Sequence, residues 1–179
     1  SGSFGTFVGF QAGFQNTSAS YGTFVGAFAG AQNERGDDNT FVGFRTGEQN
    51  TSGSECVAAG AYAMRYNASG NASVAVGYAA GERCIDGSFN TMIGALSGQD
   101  NRSGSYNTMA GYKSGRSAFQ GNYNTYFGAY AGYSNYHGDA NCFIGYRSGE
   151  SLSDGNLNIA IGAYSMAFAS QGDSNIAIG

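Results

Sequence analysis

The stretch Asn90-Thr91-Met92-Ile93-Gly94 returns 17 residues later as Asn107-Thr108-Met109-Ala110-Gly111, and after another 17 as Asn124-Thr125-Tyr126-Phe127-Gly128. Following its closing glycine outward in both directions gives Gly9, Gly26, Gly43, Gly60, Gly77, Gly94, Gly111, Gly128, Gly145, Gly162 and Gly179, spaced by 17 without an insertion. A fixed period of this kind is the mark of a solenoid, in which each lap of chain buries its apolar side only by stacking on the next. These eleven glycines are the structural anchors of the repeat.

Three further columns hold the remaining glycines. One lies four residues after the anchor and contains Gly13, Gly30, Gly47, Gly81, Gly98, Gly115, Gly132 and Gly149, with Met64 and Met166 as exceptions. Another, ten after the anchor, runs from Gly2 to Gly172 and is broken only by Ala19. The last, thirteen after, has Gly5 and Gly22 and then Asn39, Cys56, Ser73 and an unbroken series of Asn from Asn90 to Asn175. Glycine exchanging with asparagine points to a left-handed backbone there, since these residues tolerate positive φ best. The columns read as turns and bends.

Between the fourth column and the anchor lies a three-residue block of β-branched and aromatic residues, such as Thr40-Phe41-Val42, Val74-Ala75-Val76 or Ile159-Ala160-Ile161, which reads as a short strand. A second segment follows the anchor, then a polar turn rich in Asn, Ser, Asp and Gly. Glycine recurs too often for a helix. The fold class is therefore all-β: a parallel β-solenoid of 17 residues per coil and about ten coils, one repeat domain over residues 1–179.

The column after the anchor alternates large and small (Phe10, Ala27, Phe44, Ala61, Tyr78), and the next column is its complement, so a 34-residue lap is also conceivable. Charges decide between the two. Glu48, Arg65 and Glu82, all five after an anchor, stack as alternating signs at 17 residues per lap, whereas a lap of 34 sets Glu48 on Glu82. The shorter lap also places Arg45 between Phe28 and Tyr62, and Arg147 between Tyr130 and Tyr164. At a spacing of about 4.8 Å per coil the rod is roughly 50 Å long, and its stability is a sum of nearly equal local terms.

Composition excludes several classes. Glycine accounts for 31 of 179 residues, but there is no proline and hence no collagen. With 41% apolar and 15% aromatic residues the chain has ample material to bury, and a net charge of −4 is too small to expand it. No apolar stretch spans a membrane and no basic-then-apolar leader opens the chain. A mildly acidic chain lacks the basic stripe of a nucleic-acid binder.

Both faces of the strand block are apolar, which predicts burial on both sides. The middle residues Phe7, Phe24, Phe41, Met92, Met109, Tyr126 and Phe143 are read as candidates for an interface with further copies of the chain, in a parallel homo-oligomer. The chain opens in mid-repeat and closes on an anchor glycine without a polar cap, as expected for a segment of a longer fibre or for copies stacked end to end.

The blocks Ser73-Val74-Ala75-Val76-Gly77, Asn158-Ile159-Ala160-Ile161-Gly162 and Asn175-Ile176-Ala177-Ile178-Gly179 resemble head repeats of trimeric autotransporter adhesins of the YadA type. Asn39-Thr40-Phe41-Val42-Gly43-Phe44-Arg45-Thr46-Gly47 and Asn124-Thr125-Tyr126-Phe127-Gly128-Ala129-Tyr130-Ala131-Gly132 are similar to repeats of phage tail-fibre and bacterial surface proteins. The resemblance implies a left-handed parallel β-roll, three chains per rod, a role in attachment, and a place outside the cell, on the cell surface or on a virion. It marks no catalytic residue.

Chemistry-bearing residues are sparse. His137 is the only histidine and lies in a polar turn, which argues against a triad or a zinc site. Asp37, Asp38, Asp86, Asp139, Asp154 and Asp173 sit in turns without the spacing of calcium-loaded rolls. Cys56, Cys84 and Cys142 occupy three different columns, out of register for a disulfide and without metal spacing, so they are expected as free thiols. The sequons at Asn16, Asn50, Asn67, Asn71 and Asn101 follow from turn composition. No cofactor, metal or enzymatic activity is expected.

Two features have the form of a binding surface. Phe28, Arg45, Tyr62, Lys113, Tyr130, Arg147 and Tyr164 form a ladder that either stacks on sugar rings and pairs with anionic groups, or serves as a seam between chains. The threonines Thr6, Thr23, Thr40, Thr91, Thr108 and Thr125 suggest an ice-binding row, but Val57, Val74, Cys142, Ile159 and Ile176 replace them further along and favour a buried row. The reading is a homotrimeric shaft or head of a phage tail fibre or bacterial surface adhesin. The alternatives are an end-to-end filament subunit and a monomeric ice- or glycan-binding solenoid.

Overall fold

The computed structural model describes residues 4–179, so Gly2 of the third glycine column lies outside the described residues. Each lap contributes one three-residue strand: β1 (Thr6–Val8), β2 (Thr23–Val25), β3 (Thr40–Val42), β4 (Val57–Ala59), β5 (Val74–Val76), β6 (Thr91–Ile93), β7 (Thr108–Ala110), β8 (Thr125–Phe127), β9 (Cys142–Ile144), β10 (Ile159–Ile161) and β11 (Ile176–Ile178). They form a single eleven-stranded parallel sheet in chain order. Its register pairs each residue with the one 17 later, as in Thr40↔Val57, Phe41↔Ala58 and Val42↔Ala59.

Stacking is not confined to the strands. On one lap, Thr40 donates its amide to Cys56, Gly47 to Ala63 and Gln49 to Arg65 on the following lap, while Gly43, Arg45 and Glu55 donate to Val25, Ala27 and Asp37 on the preceding one. Backbone groups that a narrow coil has no water to satisfy are thus paired along the rod axis. The segment after each anchor is a pair of turns: Ala63 donates to Gly60, and Asn67 to Met64.

The alternation of the strand sets the core. Phe24, Phe41, Met92, Met109, Tyr126 and Phe143, the middle strand residues, have no exposed surface, and Phe24 and Phe41 stack with ring centroids 5.2 Å apart. They fill the interior of their own chain. The expectation that they face a partner is therefore corrected: one lap is wide enough to bury a single ring per strand, and the middle residue takes that place. Of the same set only Phe7, in the first lap, is exposed, at 42%.

Core volume is matched between columns. A Cβ added at Gly47 falls within 3.0 Å of the Phe41 ring, and one at Gly98 within 3.0 Å of the Met92 sulfur, so glycine is required where the middle residue is large. Met64 lies between laps whose middle residues are Ala58 and Ala75, and Met166 between those with Ala160 and Ala177. The two exceptions in the second glycine column occupy the space that paired alanines leave.

The fourth column differs from expectation. Its asparagines are absent from the positive-φ residues, which instead fall one position earlier, at Tyr21 (φ 59°), Asp38 (58°), Phe89 (60°) and Tyr106 (59°). Asparagine is selected there for its side chain. Buried Asn107 accepts the amide of Asn124 through Oδ1 (2.9 Å) and donates through Nδ2 to the Gly121 carbonyl (2.7 Å), and the same pair of bonds recurs at Asn124 and Asn141. At Gly22 a Cβ falls 2.9 Å from the Phe24 ring, yet Asn39 and Asn141 stand in the same relation to Phe41 and Phe143, so nothing in the structure explains the glycine there.

Anchor glycines need both conformational freedom and close approach. Gly94 has φ +120°, and a Cβ on it falls 2.7 Å from the Gly111 carbonyl oxygen of the next lap.

Candidate functional site

Because the middle strand residue points inward, its two neighbours point out. The eleven strands therefore present two parallel outward rows on one face: Thr6, Thr23, Thr40, Val57, Val74, Thr91, Thr108, Thr125, Cys142, Ile159 and Ile176, beside Val8, Val25, Val42, Ala59, Val76, Ile93, Ala110, Phe127, Ile144, Ile161 and Ile178. Away from the two end laps, Val42 is 42% exposed, Val57 41%, Ile93 47% and Phe127 61%. The threonine row, expected to be buried by its apolar replacements, is half-buried to exposed throughout. Those replacements make the outer surface apolar instead.

A strip of rings runs alongside this face. Phe10, Phe28, Phe44, Tyr62 and Tyr78 follow one another edge to face, with centroids 5.4–6.3 Å apart and interplanar angles of 79–85°. Tyr112, Tyr130, Tyr146 and Tyr164 repeat the pattern at 5.4–6.2 Å. The large residue switches between the two columns after the anchor on alternate laps, which explains the doubled period within a 17-residue coil: edge-to-face rings need an offset that a single column does not supply. The strip is interrupted at the lap of Ala95 and Leu96, which carries no ring.

Cations sit in this strip. Arg45 lies 5.2 Å from the Phe28 centroid and 5.3 Å from Phe44; Arg147 lies 5.3 Å from Tyr130 and 5.4 Å from Tyr146; Lys113 lies 5.0 Å from Tyr112 and 5.5 Å from Tyr130. Each arginine thus contacts the ring of its own lap and that of the preceding one, not Tyr62 or Tyr164 as the spacing suggested. Glu48 stands 3.9 Å from Arg45 and Glu150 3.8 Å from Arg147. Of the ladder residues, Phe28, Arg45, Tyr62, Lys113, Tyr130 and Arg147 are half-buried and Tyr164 is exposed. Glu150 and the Tyr146 ring raise the affinity of Arg147 for its proton, and a hydrogen bond to Tyr112 does the same for Lys113.

The charged column beside the strip is half-buried and bonded in two runs, Glu48–Arg65 and Glu82 to Tyr133. Arg65 Nε donates to Glu48 (2.7 Å), Gln99 Nε2 to Glu82 (2.8 Å), Arg116 Nε to Gln99 Oε1 (2.9 Å) and Arg116 Nη1 to the Tyr133 hydroxyl (2.7 Å). A ladder that the sequence reading missed runs through the turn column eleven residues after the anchor. Asp37 accepts the Ser20 amide (2.6 Å), Asn71 the Ser54 amide (2.8 Å), Asn122 the Ser105 amide (2.9 Å), Asp139 the Asn122 amide (2.7 Å) and Asp173 the Asn156 amide (2.7 Å). Its signal was the restriction of that column to Ser, Asp and Asn in every lap. Three of the turn aspartates are thereby committed to backbone amides.

The remaining singled-out groups are scattered. His137 Nδ1 lies 2.8 Å from Asp154 on the exposed turn surface, and this contact draws the Asp154 carboxyl below its ordinary range. Cys56 and Cys84 are buried free thiols; burial raises both, Cys84 to about 12, and Cys142 is half-exposed on the sheet face. Asn50, Asn67 and Asn101 are fully buried, which removes three of the five sequons from any surface role. Among the described residues no group of three or more His, Cys, Asp or Glu is placed to hold a metal ion, and no helix is long and apolar enough to cross a membrane. No family model, curated protein or solved structure matches the chain.

Proposed function

We propose that the chain is a non-enzymatic structural segment of an extracellular fibre, the shaft or head of a phage tail fibre or bacterial surface adhesin, in which three parallel copies pack through the outward face of the sheet. The observation that carries this reading is the continuity of the outward apolar row from Val25 to Ile161, in which every residue larger than alanine is at 36% exposure or more. Isolated apolar residues on a surface need no partner, but a contiguous patch of this size marks an interface. Ten steps of about 4.8 Å and a width of roughly 15 Å including the ring strip give on the order of 700 Å² per copy, close to the contribution of one partner to a stable interface. Another copy is the occupant whose spacing matches lap for lap. The number three comes from the resemblance to trimeric adhesin repeats.

Two substitutions separate this reading from a structural role for the same residues. Val42→Asp with Ile93→Asp places two carboxylates on the outward rows, where a lone chain leaves them hydrated. The double variant is expected to sediment as a single folded chain with unchanged circular dichroism. Retention of the wild-type mass contradicts the proposed interface. A monomeric ice- or glycan-binding solenoid, favoured by exposed Thr108 and Thr125, requires the wild-type chain itself to be monomeric.

A further inference from the structure

We infer that a groove on the side of the coil away from the sheet binds an acidic carbohydrate chain. The groove encloses about 450 Å³ and is lined by Gln32, Gln49, Thr51, Tyr66, Ala68, Arg83, Ile85 and Arg102. These residues come from two columns only. Gln32, Gln49, Tyr66 and Arg83 stand six after their anchors and form one wall, while Thr51, Ala68, Ile85 and Arg102 stand eight after and form the other. The column between them points inward as Asn33, Asn50, Asn67 and Cys84, all buried, so the backbone itself is the floor. Five laps contribute, which makes the groove roughly 19 Å long at about 4.8 Å per lap.

The groove exists because of local composition. Small Thr51 and Ala68 open the second wall, and two laps beyond Ile85 that wall closes with Phe119 and Tyr136, stacked at 5.2 Å. Its volume falls within the range of small-molecule sites, and its shape is that of a trench for an extended chain.

Its chemistry selects the occupant. Tyr66 and Ile85 offer apolar surface to a sugar ring, and the side-chain amides of Gln32 and Gln49, one lap apart, each present a donor and an acceptor to vicinal hydroxyls. Both arginines lie at one end. Arg83 uses Nη1 on Asp100 (2.7 Å) and keeps half its side chain exposed; Arg102 lies over Phe119 at 5.1 Å and has no carboxylate partner among the described residues. Of the acids on these laps, Glu48 bonds Arg65, Glu82 bonds Gln99 and Asp100 bonds Arg83, while Glu34, in the second-wall column at the end away from the arginines, and Asp86, beside Ile85, keep carboxylates without a side-chain bond among the described residues. A guanidinium fork left open beside an apolar trench suits the carboxylate of a uronic acid or similar acidic sugar.

This inference is independent of the self-association proposal, because the groove columns lie half a lap from the strand and stay open when the sheet face is covered. The test is calorimetric titration of the wild-type chain with trigalacturonic acid, with maltotriose and triglutamate as comparison probes. Trigalacturonic acid is expected to bind, more weakly as salt is raised, and maltotriose and triglutamate to bind at least about tenfold more weakly. Arg102→Gln is expected to weaken trigalacturonic acid about tenfold, and Ala68→Phe, which fills the trench, to abolish binding while circular dichroism is unchanged. Absence of trigalacturonic acid binding, equal affinity for maltotriose, preference for triglutamate, or an affinity that neither substitution alters overturns the inference.

Discussion

Phe41→Ala and Gly47→Met, separately and together, test whether the core is a set of matched volumes. Phe41 is fully buried against Phe24, and its replacement by Ala removes a ring from a rigid stack, at a cost of about 3–5 kcal/mol. Gly47→Met alone drives a side chain into the Phe41 ring, 2.5 Å from where its Cβ falls, and holds a non-glycine residue at φ +57°, together about 2–4 kcal/mol. In the double variant the methionine has the alanine that replaces Phe41 on one side and Ala58 on the other, the environment that Met64 already occupies between Ala58 and Ala75 at φ 49°. Burying it returns about 1.5–3 kcal/mol against a left-handed cost of about 1 kcal/mol, so the double variant is expected to be more stable than the sum of the two single costs allows. Additive costs of about 7 kcal/mol become about 2–4 kcal/mol for the pair, a coupling far outside the range of independent sites. Thermal unfolding by circular dichroism reads this at about 2–4 °C per kcal/mol for a chain of this length. Native-state hydrogen exchange of the Thr40 and Gly43 amides, which bond to Cys56 and Val25, localises it. Additivity within about 0.5 kcal/mol, or a Phe41→Ala cost below about 1 kcal/mol, refutes the volume-matching reasoning.

Gly94→Val meets both the φ of +120° and the Gly111 carbonyl, and is expected to cost several kcal/mol, on the order of 3 or more, in chemical denaturation; a near-neutral result refutes the close-approach explanation. Tyr126 is fully buried with an unpartnered hydroxyl and a proton held far above the ordinary tyrosine range by desolvation, so Tyr126→Phe is expected to stabilise by about 1 kcal/mol, and a loss of stability points to a partner for that hydroxyl. Desolvation keeps Cys84 protonated up to about pH 12, so iodoacetamide at neutral to mildly alkaline pH is expected to spare it in the folded chain. Cys142 is expected to be alkylated in the dissociated Val42→Asp/Ile93→Asp variant and protected in the assembly, as mass spectrometry of labelled peptides reads directly.

The lap length, the strand and, among the described residues, the absence of helix were legible in the sequence because glycine spacing and charge alternation are one-dimensional signals. Glu48, Arg65 and Glu82 have opposite signs at a distance of one lap, and the Arg65–Glu48 bond is the consequence. The direction of the strand was not legible. Thr40, Phe41 and Val42 are all compatible with either face, and only the width of the coil shows that one ring fits inside and that two flanking residues face out. Left-handed positions were misplaced by one residue for a similar reason. Asn at the fourth column satisfies a Gly carbonyl and a neighbouring amide, as Asn107 does with Gly121 and Asn124, a role in side-chain bonding that composition cannot tell from a role in turn geometry. The groove was not legible at all, since it arises from two columns that face each other across a buried asparagine row.

Sedimentation equilibrium of the purified wild-type chain tests the central claim most directly. Three copies of 18.4 kDa packed through the sheet face give a species of about 55 kDa with no dissociation at micromolar concentration. A folded species of 18.4 kDa contradicts it.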